Sequence, residues 1–142
     1  VIVSAYRSIS YQEQIFQDYL NNWAAQGYTD EEALEKVKET STEPGFSEHH
    51  TGLAIDLVDE DWSNNYPQEI LEAGFAETAG GKWLAEHACE YGFILRYPNG
   101  KEAITSINFE PWHFRYVGVE HAKYIEAHEL TLEEYLDILN AK

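Results

Sequence analysis

The sequence predicts an α+β domain: a small, mainly antiparallel sheet flanked by helices. Three observations carry that expectation. Short apolar strands are intermixed with helical stretches instead of alternating regularly with them, which disfavours a doubly wound fold. Pro98-Asn99-Gly100 forms a hairpin-like turn after one of those strands. Three Ser/Thr-x-x-Glu capping boxes mark helix starts. At 142 residues, 44% of them hydrophobic and 14% aromatic, the chain fits one domain that can bury a real core.

Taken in order, Val1 to Tyr6 reads as a buried strand. Ser10-Tyr11-Gln12-Glu13 opens a helix on which Tyr11, Ile15, Tyr19 and Trp23 recur at helical spacing, and Gly27 ends it. Thr29-Asp30-Glu31-Glu32 opens a second helix with Ala33, Leu34 and Val37 inward. "TSTEPGFSEHHTG" is a loop by its Pro, Gly, Ser and Thr content. Leu53 to Val58 is a strand, and "DEDWSNNYP" a polar connection whose acids read as a solvated loop and not a calcium site. A short helix is expected near Glu69 to Phe75, then a firmer one from Lys82 to Tyr91, stopped by Gly92. Phe93 to Tyr97 and Trp112 to Val117 are strands. Two helices finish the chain: Val119 to His128, and one opened by Thr131-Leu132-Glu133-Glu134. There is no internal repeat and no low-complexity linker. The absence of methionine and the abrupt apolar opening "VIVSAY" suggest a single trimmed domain, residues 1–142, whose natural N-terminal part lies elsewhere.

Charge narrows the function classes. With 26 acidic against 9 basic side chains the formal charge is −17, which repels phosphate backbones and anionic lipid; neither nucleic acid nor a membrane surface is an expected partner. No run approaches the roughly 18 apolar residues of a membrane span. Cys89 is the only cysteine, so no internal disulfide can form, and it reads as a small core residue.

The stretch "SEHHTGLAID" sets a carboxylate into an apolar strand. An ionised carboxylate there costs several kcal/mol unless it is paired or binds a metal. Strand alternation puts Ala54, Asp56 and Val58 on one face, and Gly52 lets the preceding loop fold His49 back toward Asp56. A second stretch, "FEPWHFRYVG", puts Glu110 three residues before His113, with Pro111 between them. Either histidine alone reads as an ordinary hydrogen-bonded residue. Two stretches that each join a histidine to a carboxylate point instead to a metal. His49, Asp56 and His113 form a zinc set with a fourth position open, and Glu110 is a carboxylate available to move protons. His87, His121 and His128 sit in helical stretches and are expected to be structural; Arg115 is expected to pair with an acid behind the ligands.

Ser47-x-His49-x-x-Gly52-x-Ala54-x-Asp56, followed by Glu110-x-Trp112-His113, resembles the paired signature of zinc D-alanyl-D-alanine carboxypeptidases of the VanY type. That group is related to VanX dipeptidases and L,D-carboxypeptidases. "SAYRS", "GFILRYPNGKEAIT" and "EPWHFRYVGVEHA" extend the resemblance over nearly the whole chain. It implies a hedgehog/D-Ala-D-Ala peptidase-like domain with one zinc held by His49, Asp56 and His113, and Glu110 as general base and then acid. It also implies that Arg7 contacts the scissile carbonyl or the substrate, and that Tyr6, Gln12 and Ser47 line the substrate pocket. His50 departs from the glutamine associated with its position and is expected not to be a ligand. The implied reaction is removal of the C-terminal D-alanine from peptidoglycan stem peptides by an extracytoplasmic monomer. L,D-carboxypeptidase, endopeptidase and non-catalytic binding-module readings stay open.

Overall fold

The computed structural model describes residues 1–141. Its sheet has four short strands: β1 (Ile2–Ser4), β2 (Ala54–Leu57), β3 (Phe93–Leu95) and β4 (His113–Tyr116). They lie in the order β1-β2-β4-β3, and every neighbouring pair is antiparallel. Around the sheet run α1 (Ile9–Ala25), α2 (Asp30–Lys38), α3 (Glu60–Asn65), α4 (Ala79–His87), a single turn α5 (Glu102–Thr105), α6 (Val119–Ala127) and α7 (Leu132–Asn140). The α+β expectation holds. No helix among the described residues is long and apolar enough to cross a membrane.

The register of β2 on β4 matters most, because it sets Asp56 opposite His113 and Ala54 opposite Arg115. Opposed residues in an antiparallel pair project from the same face within about 5.5 Å of one another. The sheet thus joins a carboxylate and an imidazole drawn from segments more than fifty residues apart.

Several local expectations are corrected. β1 is not buried: it is an edge strand, with Ile2 65% exposed and Val3 and Ser4 half-buried. Helix α1 starts two residues earlier than the Ser10 box, since Ser8 caps it by accepting from the Tyr11 amide at 3.2 Å. Its buried face carries Gln12 and Phe16, while the Tyr11, Ile15, Tyr19, Trp23 stripe lines an open cleft. On α2 the capping box is complete and Ala33 and Val37 are buried, but Leu34 faces solvent. "DEDWSNNYP" contains α3. Asp59 caps it through the Trp62 amide at 2.6 Å, and the Trp62 indole donates to the Ile70 carbonyl at 3.0 Å and stacks on Tyr66. Tertiary packing of one tryptophan thus converts a polar segment into helix. The helix expected near Glu69 to Phe75 is displaced to a 3₁₀ turn, Ala73–Glu77, that buries Phe75 completely.

α6 and α7 lie where expected, α4 begins three residues before the expected Lys82, and the single turn α5 was not expected. α4 runs into a tight turn (Ala88–Tyr91) that ends at Gly92. One core cluster joins Ile94 of β3, Ala122 and Ile125 of α6 and Tyr135 of α7, with the half-buried Cys89 against it. Gly92 adopts φ +86°, and a Cβ there would sit 2.7 Å from the Tyr116 ring and 3.1 Å from the Gly118–Val119 backbone. Left-handed backbone alone costs an L-residue about 1–2 kcal/mol. Gly92→Ala should therefore destabilise the domain by at least that amount, read as a lower urea midpoint with an unchanged m-value.

Candidate metal centre

His49 is delivered by a 3₁₀ turn, Glu48–Thr51, that the sequence builds at both ends. The Ser47 hydroxyl caps it by accepting from the His49 amide at 3.3 Å, and Gly52 closes it in the left-handed conformation at φ 73°. His113 and Glu110 come from one tight turn. The His113 amide donates to the Glu110 carbonyl at 3.2 Å across Pro111 and Trp112, with proline at the position whose fixed φ a type I or II turn favours. That turn feeds straight into β4, whose register brings His113 to Asp56.

The three side chains converge in a buried pocket: His49 is 4% exposed, Asp56 2% and His113 5%. One ligand atom from each lies within 4.8 Å of the others. His49 Nε2 is 3.3 Å from Asp56 Oδ2, and His113 Nδ1 is 3.0 Å from Asp56 Oδ1. The imidazole planes are nearly perpendicular, with centroids 5.0 Å apart. His49 Nδ1 lies 2.7 Å from the Ala5 carbonyl, which can only accept, so Nδ1 donates there and Nε2 is the ring nitrogen turned toward Asp56. Asp56 Oδ1 is buried without a well-directed hydrogen bond, although His113 Nδ1 stands close by. Two imidazole nitrogens and a carboxylate converging this closely, with one carboxylate oxygen left without a well-directed hydrogen bond, suit a shared cation. Two imidazoles and one carboxylate fit zinc, which takes three such ligands in sites that keep a position open.

Electrostatics separate the carboxylates. Burial opposes ionisation of Asp56, but the His113 and His49 imidazoles overcome it and hold its carboxyl down at about 2. Burial works in the same sense on Glu110 and is not overcome. With the Asp56 and Glu48 anions adding to it against His113 and Arg7, its carboxyl is pushed up to about 8. Glu110 Oε2 lies 3.6 Å from His113 Nδ1, beside the candidate ligands. For His113, burial disfavours the cation, yet the adjoining Asp56 and Glu48 carboxylates raise it to about 9, so a metal must displace a proton there.

Arg7 is brought to the site. Its Nη2 is 3.8 Å from Asp56 Oδ2 and 2.9 Å from the Ser4 hydroxyl, and its Nη1 donates to Gln12 Oε1 at 2.6 Å. Its Nε is buried with no partner. Gln12 lines the cleft, but both ends of its amide are taken: Nε2 donates to Ser41 Oγ at 3.1 Å and to the Thr42 carbonyl at 2.8 Å. It holds Arg7. Ser47 lines the cleft and is occupied in part as the cap of the His49 turn. Tyr6 corrects its expected place in the pocket, because it is 69% exposed and outside the cleft lining; the edge position of β1 turns it to solvent. His50 uses both ring nitrogens on backbone, Nδ1 with the Arg7 carbonyl at 2.6 Å and Nε2 with the Gly45 amide at 3.2 Å.

The cleft over these groups has a volume of about 640 Å³, and its wall includes Tyr11, Tyr19, Trp23 and Trp112. Sequence reasoning missed that aromatic wall, because a stripe at helical spacing reads equally well as core. It also missed Glu48, whose only trace was the unassigned acid expected behind Arg115. Glu48 is that acid, 3.2 Å from Arg115 Nη1.

Fold and site together define a three-ligand candidate metal centre at the base of a cleft, and comparison with known proteins supplies the family. The sequence model described as VanY, D-alanyl-D-alanine carboxypeptidase, matches residues 1–119, and the chain belongs to that family. A Bacillus subtilis (strain 168) protein named as a carboxypeptidase, YodJ, is 47% identical over 135 residues, covering 95% of this chain and 44% of its own length. An Enterococcus faecalis D-alanyl-D-alanine carboxypeptidase is 36% identical over 137 residues, 96% of this chain and 47% of the relative. The chain thus spans less than half the length of both relatives. VanYB, solved with D-alanine-D-alanine, superposes with a TM-score of 0.82 at 35% identity, over 96% of this chain and 70% of that one. A VanY D,D-pentapeptidase from a VanB-type cassette, solved with Zn(II), gives 0.80 at 35% identity with the same coverage. The L,D-carboxypeptidase LdcB gives 0.78 at 42% identity, over 96% of this chain and 57% of that one.

A ligand that binds only the folded state stabilises it by about 2.7 kcal/mol at one hundred times its Kd. Zinc at that excess should raise the stability of the metal-stripped protein by this order, with one zinc retained per chain by elemental analysis. His113→Ala should abolish both effects.

Proposed function

We propose that the chain is the catalytic domain of a zinc-dependent D,D-carboxypeptidase, removing the C-terminal D-alanine from peptidoglycan stem peptides outside the membrane. One observation carries the reading: a buried carboxyl with a raised pKa, Glu110, stands beside a three-ligand metal set at the base of an open cleft. A purely structural zinc needs neither an open position nor a neighbouring base, so a non-catalytic binding module leaves Glu110 unexplained. The likeness to VanYB in complex with D-alanine-D-alanine supports the D,D specificity.

When bound, zinc supplies Lewis acidity that polarises the scissile carbonyl and acidifies water. Glu110 takes the proton that the attacking water gives up, then returns it to the nitrogen of the departing D-alanine. Arg7 spends one N–H of Nη1 on Gln12 and one of Nη2 on Ser4, so three of its five N–H groups, the unpartnered Nε–H among them, remain to donate to the oxyanion or to the substrate's terminal carboxylate. Gln12 keeps the guanidinium in place through its contacts with Ser41 and Thr42. Ser47 fixes the turn that presents His49.

The 42% identity to LdcB favours one second reading, L,D-carboxypeptidase action on tetrapeptide stems. Incubation with pentapeptide and tetrapeptide stems, with and without a chelator, followed by mass analysis, separates the two. Loss of one alanine from the pentapeptide alone supports the D,D reading; loss from the tetrapeptide alone overturns it. No chelator-sensitive product from either refutes both.

Glu110→Gln should retain zinc while turnover falls about 10²–10⁴-fold, the usual contribution of a positioned base. Arg7→Lys, which lacks the guanidinium fork, should lose about 10²–10³-fold in kcat/KM with zinc content unchanged.

A further inference from the structure

Behind His113, on the side away from Asp56, lies a charged group that the reaction does not use. The Glu48 side chain is only 10% exposed. Its Oε1 is 2.8 Å from Arg96 Nε, accepts from the Tyr97 hydroxyl at 3.5 Å, and faces His113 Nε2 at 3.8 Å. Its Oε2 accepts from Arg115 Nη1 at 3.2 Å. Arg96 reaches on to Glu133 of α7 with two hydrogen bonds, 3.0 and 2.6 Å. The chain has only three arginines, Arg7, Arg96 and Arg115, and two of them converge on this one carboxylate.

The two candidate imidazoles are supported differently. His49 has a neutral backbone carbonyl behind it, that of Ala5. His113 has Glu48, and its Nε2 is buried with no closed hydrogen bond among the described residues. A histidine that ligates through one nitrogen places the proton on the other, and an anionic acceptor there fixes the tautomer and makes the ligating lone pair more basic.

We propose that Glu48 is a positioning residue for the metal centre, its carboxylate holding the Nε2 side of His113 so that Nδ1 presents its lone pair beside Asp56. Arg96 and Arg115 keep Glu48 in place, and Glu133 extends that hold to α7, a helix outside the residues 1–119 that match the family model. The inference rests on the zinc reading above, and its test separates the two.

Zinc affinity is measured by competition with a chromophoric chelator, and ligand geometry by the visible spectrum of the cobalt(II)-loaded protein. Glu48→Gln should bind zinc roughly 10–100-fold more weakly, the usual effect of removing a ligand's supporting partner, with altered cobalt bands. Glu133→Gln should weaken binding by less, and Glu43→Gln, which alters an exposed acid paired with Lys38, should change nothing. A purely structural Glu48 would lower the urea midpoint of the metal-free protein without moving the affinity or the spectrum. Should Glu48→Gln fail to fold because it strands two arginines, Glu48→Asp keeps the charge but withdraws it by one methylene, and the same weakening is expected. Wild-type affinity and spectrum in the folded Glu48 variant overturn the proposal, and wild-type affinity in Glu133→Gln removes α7 from it. A wild-type protein that binds neither metal would refute the zinc reading itself.

Discussion

Asp56 is an ionised carboxylate at 2% exposure in the middle of a sheet, and the surrounding structure is arranged to make that tolerable. A lone charge in such a place costs several kcal/mol. It is offset from three directions: His113 across the β2–β4 register, His49 from the turn before β2, and Arg7 from the segment after β1. None of the three partners is a sequence neighbour, so the carboxylate can be satisfied only when sheet and loops have assembled. The centre and the fold are therefore one cooperative unit.

The distribution of charge follows from the same constraint. A chain of net charge −17 carries few cations, and the three that are guanidinium groups all lie at or behind the centre. Arginine suits these positions because its planar fork can bind two groups at once and stays protonated in a buried site. Arg7 links Gln12, Ser4 and the edge of Asp56, while Arg96 bridges Glu48 and Glu133. Lysines, by contrast, serve at the periphery, as Lys101 does with Glu134. Two carboxylates in nearly the same environment end with opposite character: Asp56 faces imidazoles and stays ionised, whereas Glu110 faces them less closely and is raised by burial. That separation matches the ligand and proton-carrier roles proposed for the two.

Residue patterns made parts of this legible in advance. A carboxylate set into an apolar strand demanded a partner, and the two histidine–carboxylate stretches supplied candidates that the register then joined. Capping boxes at Thr29 and Thr131 were readable because their partners lie three residues away. The Tyr11–Trp23 stripe misled, because helical spacing shows that a face is apolar without showing whether core or cleft lies against it. Helix α3 was hidden because its one large apolar residue, Trp62, packs on Tyr66 and Phe75 beyond the helix, contacts that a polar stretch does not advertise. Tyr6 follows a strand that looked central by composition and proved to be an edge.

The amino-acid order by itself determined the ligand types, the proline turn that ties Glu110 to His113, and the glycine and serine that shape the His49 turn. These depend on contacts within a few residues. Tertiary structure decided which nitrogen of each imidazole faces Asp56, which acid stands behind His113, and which residues wall the cleft. Those depend on the approach of segments dozens of positions apart, and strand register and burial fix that approach only in the folded molecule.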